Sequence, residues 1–376
     1  MIRFLLCCAF VLVSVHAACD RSLADLSYRL SGSDLQWPCQ STKNIYVSSG
    51  RYVPKNVIIT RAQMWNDQVI VAMPRYKPGV PFTLGKMSLA KASKCIASLA
   101  PFPCWSMQEE GNCEALQSVV DIFLDPMDIL WVLDVGIVNT LEQPVRRCPP
   151  KVVAVNMKTG KVVKVVSLEG LVSDASRLQY ILVDYDEEGK PYVFVSDAGT
   201  RAIVVFDVYA GQGHRVVLPK AVTAGCAPND VLYIALVRKS CGQTVLYFTY
   251  LNSPRLFSIK AALLRKGQGA GAVVDVGPKP NGLPIVLLGT DNGAAIFFRF
   301  KGQSDVYMWN TETCFKESNF VEVLPGGDCR LATQVLPGFK KLMWALESNF
   351  QHYIADTTGC VGASIMLRPV VKTCDA

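Results

Sequence analysis

One arrangement, repeated four times, limits what this chain can fold into more than any other feature. An apolar, β-rich run ends at a polar turn, and a second apolar run starts a few residues later. Residues 196–206 read this way, and so do 251–259, 302–309 and 348–354. With Arg201, Arg255, Asp305 and Gln351 as matched positions, the spacings are 54, 50 and 46 residues. A period of roughly 40–50 residues, each unit holding several short strands, is what a β-propeller produces. Each unit is a small sheet whose faces are buried only by its neighbours, so the units must close on one another. Roughly 330 residues at that period give six or seven blades. A pair of β-sandwiches is the competing arrangement.

The rest of the chain agrees with an all-β reading. Runs such as 68–73, 129–134, 151–156, 161–168, 192–196, 202–208, 245–250 and 294–300 are rich in Val, Ile, Phe, Tyr and Thr. Gly, Pro, Asn and Asp bound them, as they bound strands generally. Residues 56–60 read as a further strand. Across 151–167 two such runs flank Lys158-Thr159-Gly160, a hairpin in which Gly160 supplies the positive φ of the turn. Helical periodicity is confined to 87–98 and 261–266, both read as connectors.

The first residues set an expectation about compartment. Arg3 is followed by an apolar run over 4–15, and Val15-His16-Ala17 offers small residues at the positions a signal peptidase reads. The run is too short for a membrane span, which needs about 20 residues. Residues 1–17 are therefore expected to be a secretory signal, 18–43 an N-terminal extension, and 44–376 the propeller. The protein is expected to be secreted and extracellular. Cleavage removes Cys7 and Cys8 from the 14 cysteines and leaves twelve, an even number that reads as a disulfide framework. Connectivity is not fixed by sequence. Cys226 with Cys241, and Cys314 with Cys329, are the preferred local bridges, because each pair encloses one short strand–loop unit.

Several chemistries are excluded or demoted. The net charge of +7 is not gathered into a run, so nucleic acid is not an expected partner, and neither is a membrane. Beyond His16 there are only His214, in an expected loop, and His352, at an expected strand start. That rules out a multi-histidine copper or zinc site, and no G-x-S-x-G elbow supports a serine nucleophile. Asp184 to Gly189 begins like a calcium loop, but Val195 stands where the bidentate glutamate belongs, so a hairpin tip is the better reading. The glycines of 267–271 precede a β-like run, not a helix, and are read as a loop. No catalytic residue, metal or cofactor is expected.

Five ordered motifs then carry a resemblance. They are Pro74-Arg75-Tyr76 ahead of Gly79-Val80-Pro81, Glu110-Gly111-Asn112-Cys113, Leu130-Trp131-Val132-Leu133-Asp134 before Gly136, Cys148-Pro149-Pro150-Lys151, and Tyr192 to Asp197. Together, over about 46–367, they resemble the insect yellow/major royal jelly family. The resemblance implies a six-bladed β-propeller, secretion, and a role in pigmentation or hardening of cuticle or eggshell or in handling small amines. The stretch 138–147 is similar to the eggshell-associated branch. The family's cysteine before the LWVLD motif is missing here, so its disulfide pattern is not transferred.

Asp134 and Asp197 follow strand patterns that resemble inner strands of a propeller, and Asn349 follows another. If those strands line the channel, the three side chains meet near one mouth and bind a protonated aromatic amine. The alternative is that they cap turns. The expected role is non-catalytic, in the matrix of eggshell or cuticle, with a small aromatic amine as ligand. The competing expectation is a dopachrome-converting enzyme, with Asp134 or Asp197 as acid or base.

Overall fold

The computed structural model describes residues 26–90, 98–327, 329–360 and 362–370. The expected signal segment lies outside these, as do Cys19, Cys95 and Cys374. The chain forms six four-stranded antiparallel sheets. The first blade holds Arg61–Trp65, Gln68–Ala72, Leu84–Ser88 and Ala100–Pro101, and the second holds Val119–Leu124, Ile129–Asp134, Lys151–Asn156 and Lys161–Ser167. The third runs Leu178–Tyr185, Pro191–Asp197, Ala202–Asp207 and Gln212–Val217, and the fourth Leu232–Arg238, Thr244–Tyr250, Arg255–Lys260 and Val274–Pro278. The fifth has Ile285–Thr290, Ala295–Phe300, Val306–Asn310 and Phe320–Leu324. The sixth takes Leu331–Pro337, Met343–Ser348 and Ile365–Pro369, and its outer strand is Tyr28–Leu30 from the other end of the chain.

The first strands of the blades touch one another in a closed ring, first to second and onward to sixth and back to first. They surround the axis, and the apolar cores lie between blades. One core joins Val69, Val71 and Phe82 of blade one to Trp344, Leu346 and Leu367 of blade six. Burial is thus shared between neighbours, and an unclosed ring would leave two such faces in water. Closure comes from the segment expected to be an extension: Tyr28 pairs with Leu367 and Leu30 with Ile365. Residues 28–30 of that segment therefore belong to the propeller itself.

The repeat seen in the sequence is the connection between second and third strands, a short turn in blades three to five and a longer one holding the helix Phe350–Ile354 in blade six. Arg201, Arg255, Asp305 and Gln351 all lie between or beside the second and third strands of blades three to six. Other expectations change. Residues 56–60 form the end of a short 3-10 turn and irregular backbone, and His352 sits in the short helix Phe350–Ile354. His214 lies in the outer strand Gln212–Val217, where its Nε2 is 3.0 Å from the Leu264 carbonyl. The helix expected near 261–266 is present as Ala261–Arg265.

The preferred disulfides are also corrected. Cys226, Cys241, Cys314 and Cys329 are all free thiols. Cys226 precedes Leu232–Arg238 and Cys241 follows it, while Cys314 and Cys329 flank Phe320–Leu324. A strand of five to seven residues holds its ends about 17–23 Å apart, far beyond the ~7 Å limit for bridging. The disulfide among the described residues is Cys113–Cys148, which ties the loop before blade two's first strand to the entry of its third. Gly136 lies against that bridge, with φ +68° and a position where a Cβ would stand 2.0 Å from the Cys148 carbonyl oxygen. Gly136→Ala is expected to cost about 2–3 kcal/mol, from positive φ plus displaced backbone. A urea midpoint unchanged from the parent would contradict this.

Candidate functional site

The inner strands bring a set of polar and aromatic side chains together. Arg61 opens blade one's inner strand, Asp121 lies in blade two's, Tyr180 in blade three's and Tyr233 in blade four's. All are drawn to the axis. The Arg61 Nε is 3.3 Å from Asp121 Oδ1, and its guanidinium lies 4.7 Å from the centroid of the Tyr180 ring. Tyr180 and Tyr233 stack with centroids 5.4 Å apart and planes 27° apart. Arg61 also donates to the Thr333 carbonyl, and the Ile181 N–H donates to Asp121 Oδ2 at 2.8 Å. The cluster thereby ties five of the six inner strands across the axis.

It divides the channel. Above it, at the N-terminal ends of the inner strands, a cavity of about 600 Å³ opens to the surface. Below it a space of about 90 Å³ continues, and Arg61, Tyr180 and Tyr233 line both. The upper cavity's aromatic lining is Tyr76, Tyr180, Tyr233 and Phe350, and its cations are Arg61, Arg146, Arg177 and Arg299. Against these four arginines its lining has one carboxylate, Asp174. Arg299 is held by the Ala332 and Phe300 carbonyls at 2.8 and 3.2 Å. Arg177 reaches the Pro228 and Asp230 carbonyls at 3.2 and 3.1 Å. These guanidiniums are fixed by neutral acceptors, so their charge stays available to a ligand.

Burial tunes the cluster. It pushes the Asp121 carboxyl up to about 6, even with Arg61 beside it. The phenols of Tyr180 and Tyr233 are likewise raised by burial. An unfolded aspartate titrates near 3.9, so between about pH 4 and 6 the folded protein keeps a proton that the unfolded chain has released. This contribution to stability is complete below about pH 4 and is lost as pH rises through 6, on the order of 2–3 kcal/mol in all. In Asp121→Asn the decline in unfolding free energy from pH 4 to 7 is expected to be smaller by about 2 kcal/mol. Parallel profiles for the two proteins would contradict this.

The residues singled out from sequence take a different place. Asp134 and Asp197 end the second strands of blades two and three, not inner strands, and both are 0% exposed. Asp134 accepts from the Gln117, Ser118 and Gly136 amides at 2.9, 2.8 and 3.0 Å. Asp197 accepts from Ser176 Oγ at 2.6 Å and the Arg177 amide at 2.8 Å. Each carboxylate holds the loop that leads into its blade's inner strand. Asn349 precedes the short helix Phe350–Ile354, and its Oδ1 accepts from the Ser364 amide at 2.8 Å, tying that turn to the entry of blade six's third strand. The three lie at the mouth end, but none lines the cavity and they do not converge. Their neighbours Val135, Arg177 and Phe350 do line it. Asp184 is a strand residue bound to Arg265 at 2.7 Å, and Asp186 caps the hairpin tip by accepting from the Lys190 amide at 2.8 Å. Among the described residues no group of three metal-ligating side chains comes together, and no helix is long and apolar enough to cross a membrane.

Comparison with known proteins places this geometry. Over 175 residues the chain is 30% identical to dopaminechrome tautomerase of Drosophila melanogaster, a stretch that is 45% of this chain and 38% of that protein. It is 26% identical to major royal jelly protein 2 of Apis mellifera over 344 residues, covering 85% of this chain and 72% of the relative. With protein yellow of Drosophila melanogaster it shares 24% over 259 residues, 63% of this chain and 47% of the other. The model of the major royal jelly protein family matches residues 117–366, from the loop before blade two to the third strand of blade six, and the chain belongs to that family.

Proposed function

We propose that this chain is a secreted, ligand-binding propeller that takes a small aromatic molecule into the mouth of its channel. It would act without turnover in the hardening or pigmentation of eggshell or cuticle. The cavity of about 600 Å³ carries the reading, because it offers aromatic faces and a surplus of fixed guanidiniums around one opening. A pocket of this size with a few oriented polar groups suits a small-molecule ligand. The lining charge favours a ligand bearing an anionic group over the protonated amine suggested by Asp134 and Asp197. The Cys113–Cys148 bridge is in keeping with an oxidising compartment.

The test compares three catechols by calorimetry: dopamine, dihydroxyphenylalanine and 3,4-dihydroxyphenylacetate. The acetate is expected to bind about tenfold or more tightly than dopamine, since a charge-assisted hydrogen bond is worth about 1.5–3 kcal/mol. The preference should weaken with added salt. Binding of none of the three would remove the ligand-binding reading, and tighter binding of dopamine would reverse the charge argument.

A second reading, tautomerisation of a dopachrome-like quinone, is favoured by Asp121, whose carboxyl is pushed up to about 6. Its relative named dopaminechrome tautomerase points the same way. Against it stands geometry. Asp121 is 6% exposed, lines the space below the tyrosine pair rather than the cavity above, and is occupied by Arg61 and the Ile181 amide. A general base must reach the proton it takes. Loss of dopaminechrome absorbance is expected to proceed no faster with the protein than with a boiled control. Acceleration that Asp121→Asn removes would establish the enzymatic reading instead.

A further inference from the structure

We propose that Cys241 and Cys314 form a disulfide that staples blade four to blade five on the face opposite the channel mouth. Cys241 is at the tip of the turn between the first and second strands of blade four, closed by the Gly242 amide donating to the Lys239 carbonyl at 2.9 Å. Cys314 is in the loop between the third and fourth strands of blade five. The two loops already touch through the residues beside the cysteines. The Ser240 amide and hydroxyl donate to Glu312 Oε1 at 2.9 and 3.0 Å, and Lys239 Nζ donates to the Thr311 carbonyl at 3.2 Å. The Arg238 amide adds a bond to the Gly293 carbonyl at 3.0 Å in the adjoining turn. Both thiols are exposed, and nothing lies within 4 Å of the point where a side chain on Gly242 would begin. The turn tip therefore has room to close the remaining gap to the Cα separation of about 4.4–6.8 Å that a bridge needs.

The chemistry balances with a disulfide-class oxidant such as oxidised glutathione. One cysteine thiolate attacks a sulfur of the oxidant and expels one thiol. The second thiolate then attacks the mixed disulfide and expels the other. The protein loses two electrons and two protons, and the oxidant becomes two thiols. Cys113–Cys148 already joins two loops at the opposite face, so the fold tolerates a bridge of this type. The staple also accounts for two thiols whose partners along their own strands are out of reach.

Protein secreted from insect cells is denatured, alkylated with iodoacetamide without reductant and digested with trypsin. Peptides 240–255 and 302–316 are expected as one linked species that separates on reduction. In Cys241→Ser, Cys314 is expected to change from protected to alkylated. Catechol binding should be unchanged, because the loops lie away from the cavity. Alkylation of both cysteines in the unreduced parent protein would overturn the proposal, as would linkage of either to a third cysteine or a protected Cys314 in the variant.

Discussion

Arg75→Met is expected to destabilise the propeller by about 3–5 kcal/mol, because five buried carbonyls lose hydrogen bonds from a charged donor, each worth about 1.5–3 kcal/mol before relaxation. The side chain is 3% exposed and its guanidinium donates to five backbone carbonyls. Nε bonds Val80 at 3.0 Å, Nη1 bonds Leu116 at 3.0 Å and Gln117 at 2.5 Å, and Nη2 bonds Gln108 at 2.6 Å and Pro81 at 3.2 Å. Burial acts to lower the arginine pKa, with Glu110 and Asp134 opposing it. Methionine fills the volume but leaves all five acceptors without a donor in a region water does not enter. Lysine has three donors on one atom and can restore only part of the set, so Arg75→Lys should fall between the two. Urea unfolding followed by tryptophan fluorescence reads the difference, and a loss under about 1 kcal/mol for Arg75→Met would contradict the network's importance. The same residue explains a sequence motif. Pro74-Arg75-Tyr76 combines one arginine that knots blade one to the entry loop of blade two with one tyrosine that lines the cavity.

The propeller was legible because its signals are local. A hairpin such as Lys151–Asn156 with Lys161–Ser167 is written in two valine-rich runs around a Gly160 with φ +67°. The recurrence of Arg201, Arg255 and Asp305 follows from repeating one turn in blades three to five, while Gln351 marks the same connection of blade six, where the expected strand start is the helix Phe350–Ile354. Blade phase is not local. Ile129–Asp134 and Pro191–Asp197 are buried runs ending in aspartate, and nothing within them distinguishes a second strand from a first. That one-strand error placed Asp134 and Asp197 in the channel and left out the true inner strands. The signal that was available is a polar or aromatic residue interrupting an apolar strand: Asp121 in Val119–Leu124, Tyr180 in Leu178–Tyr185, Tyr233 in Leu232–Arg238. Closure by Tyr28–Leu30 was hidden for a different reason. A three-residue strand has too little pattern to read, and its partner is more than 300 residues away.

Tyr180→Ala is expected to weaken binding of an aromatic ligand by about 5–150-fold, taking about 1–3 kcal/mol for one aromatic stacking surface. The phenol ring does three things at once. It stacks on Tyr233 at 5.4 Å, it receives the Arg61 guanidinium on its face at 4.7 Å, and it separates the cavity of about 600 Å³ from the space of about 90 Å³ beneath. Alanine removes the platform, joins the two spaces and takes away the ring on which the Arg61 guanidinium rests. A ligand then loses its flat floor and must displace more water. Tyr180→Phe keeps the ring, so it should retain binding within about threefold if stacking rather than the hydroxyl carries the affinity. Loss of binding in the phenylalanine variant would shift the weight to the hydroxyl and its hydrogen bonds. Truncating this partly buried ring also costs some stability, so both variants are compared by calorimetry well below their unfolding midpoints. Unchanged affinity in folded Tyr180→Ala would place the ligand elsewhere than on this floor. The proposed function would then have to be rebuilt around the rim formed by Arg146, Arg177 and Phe350.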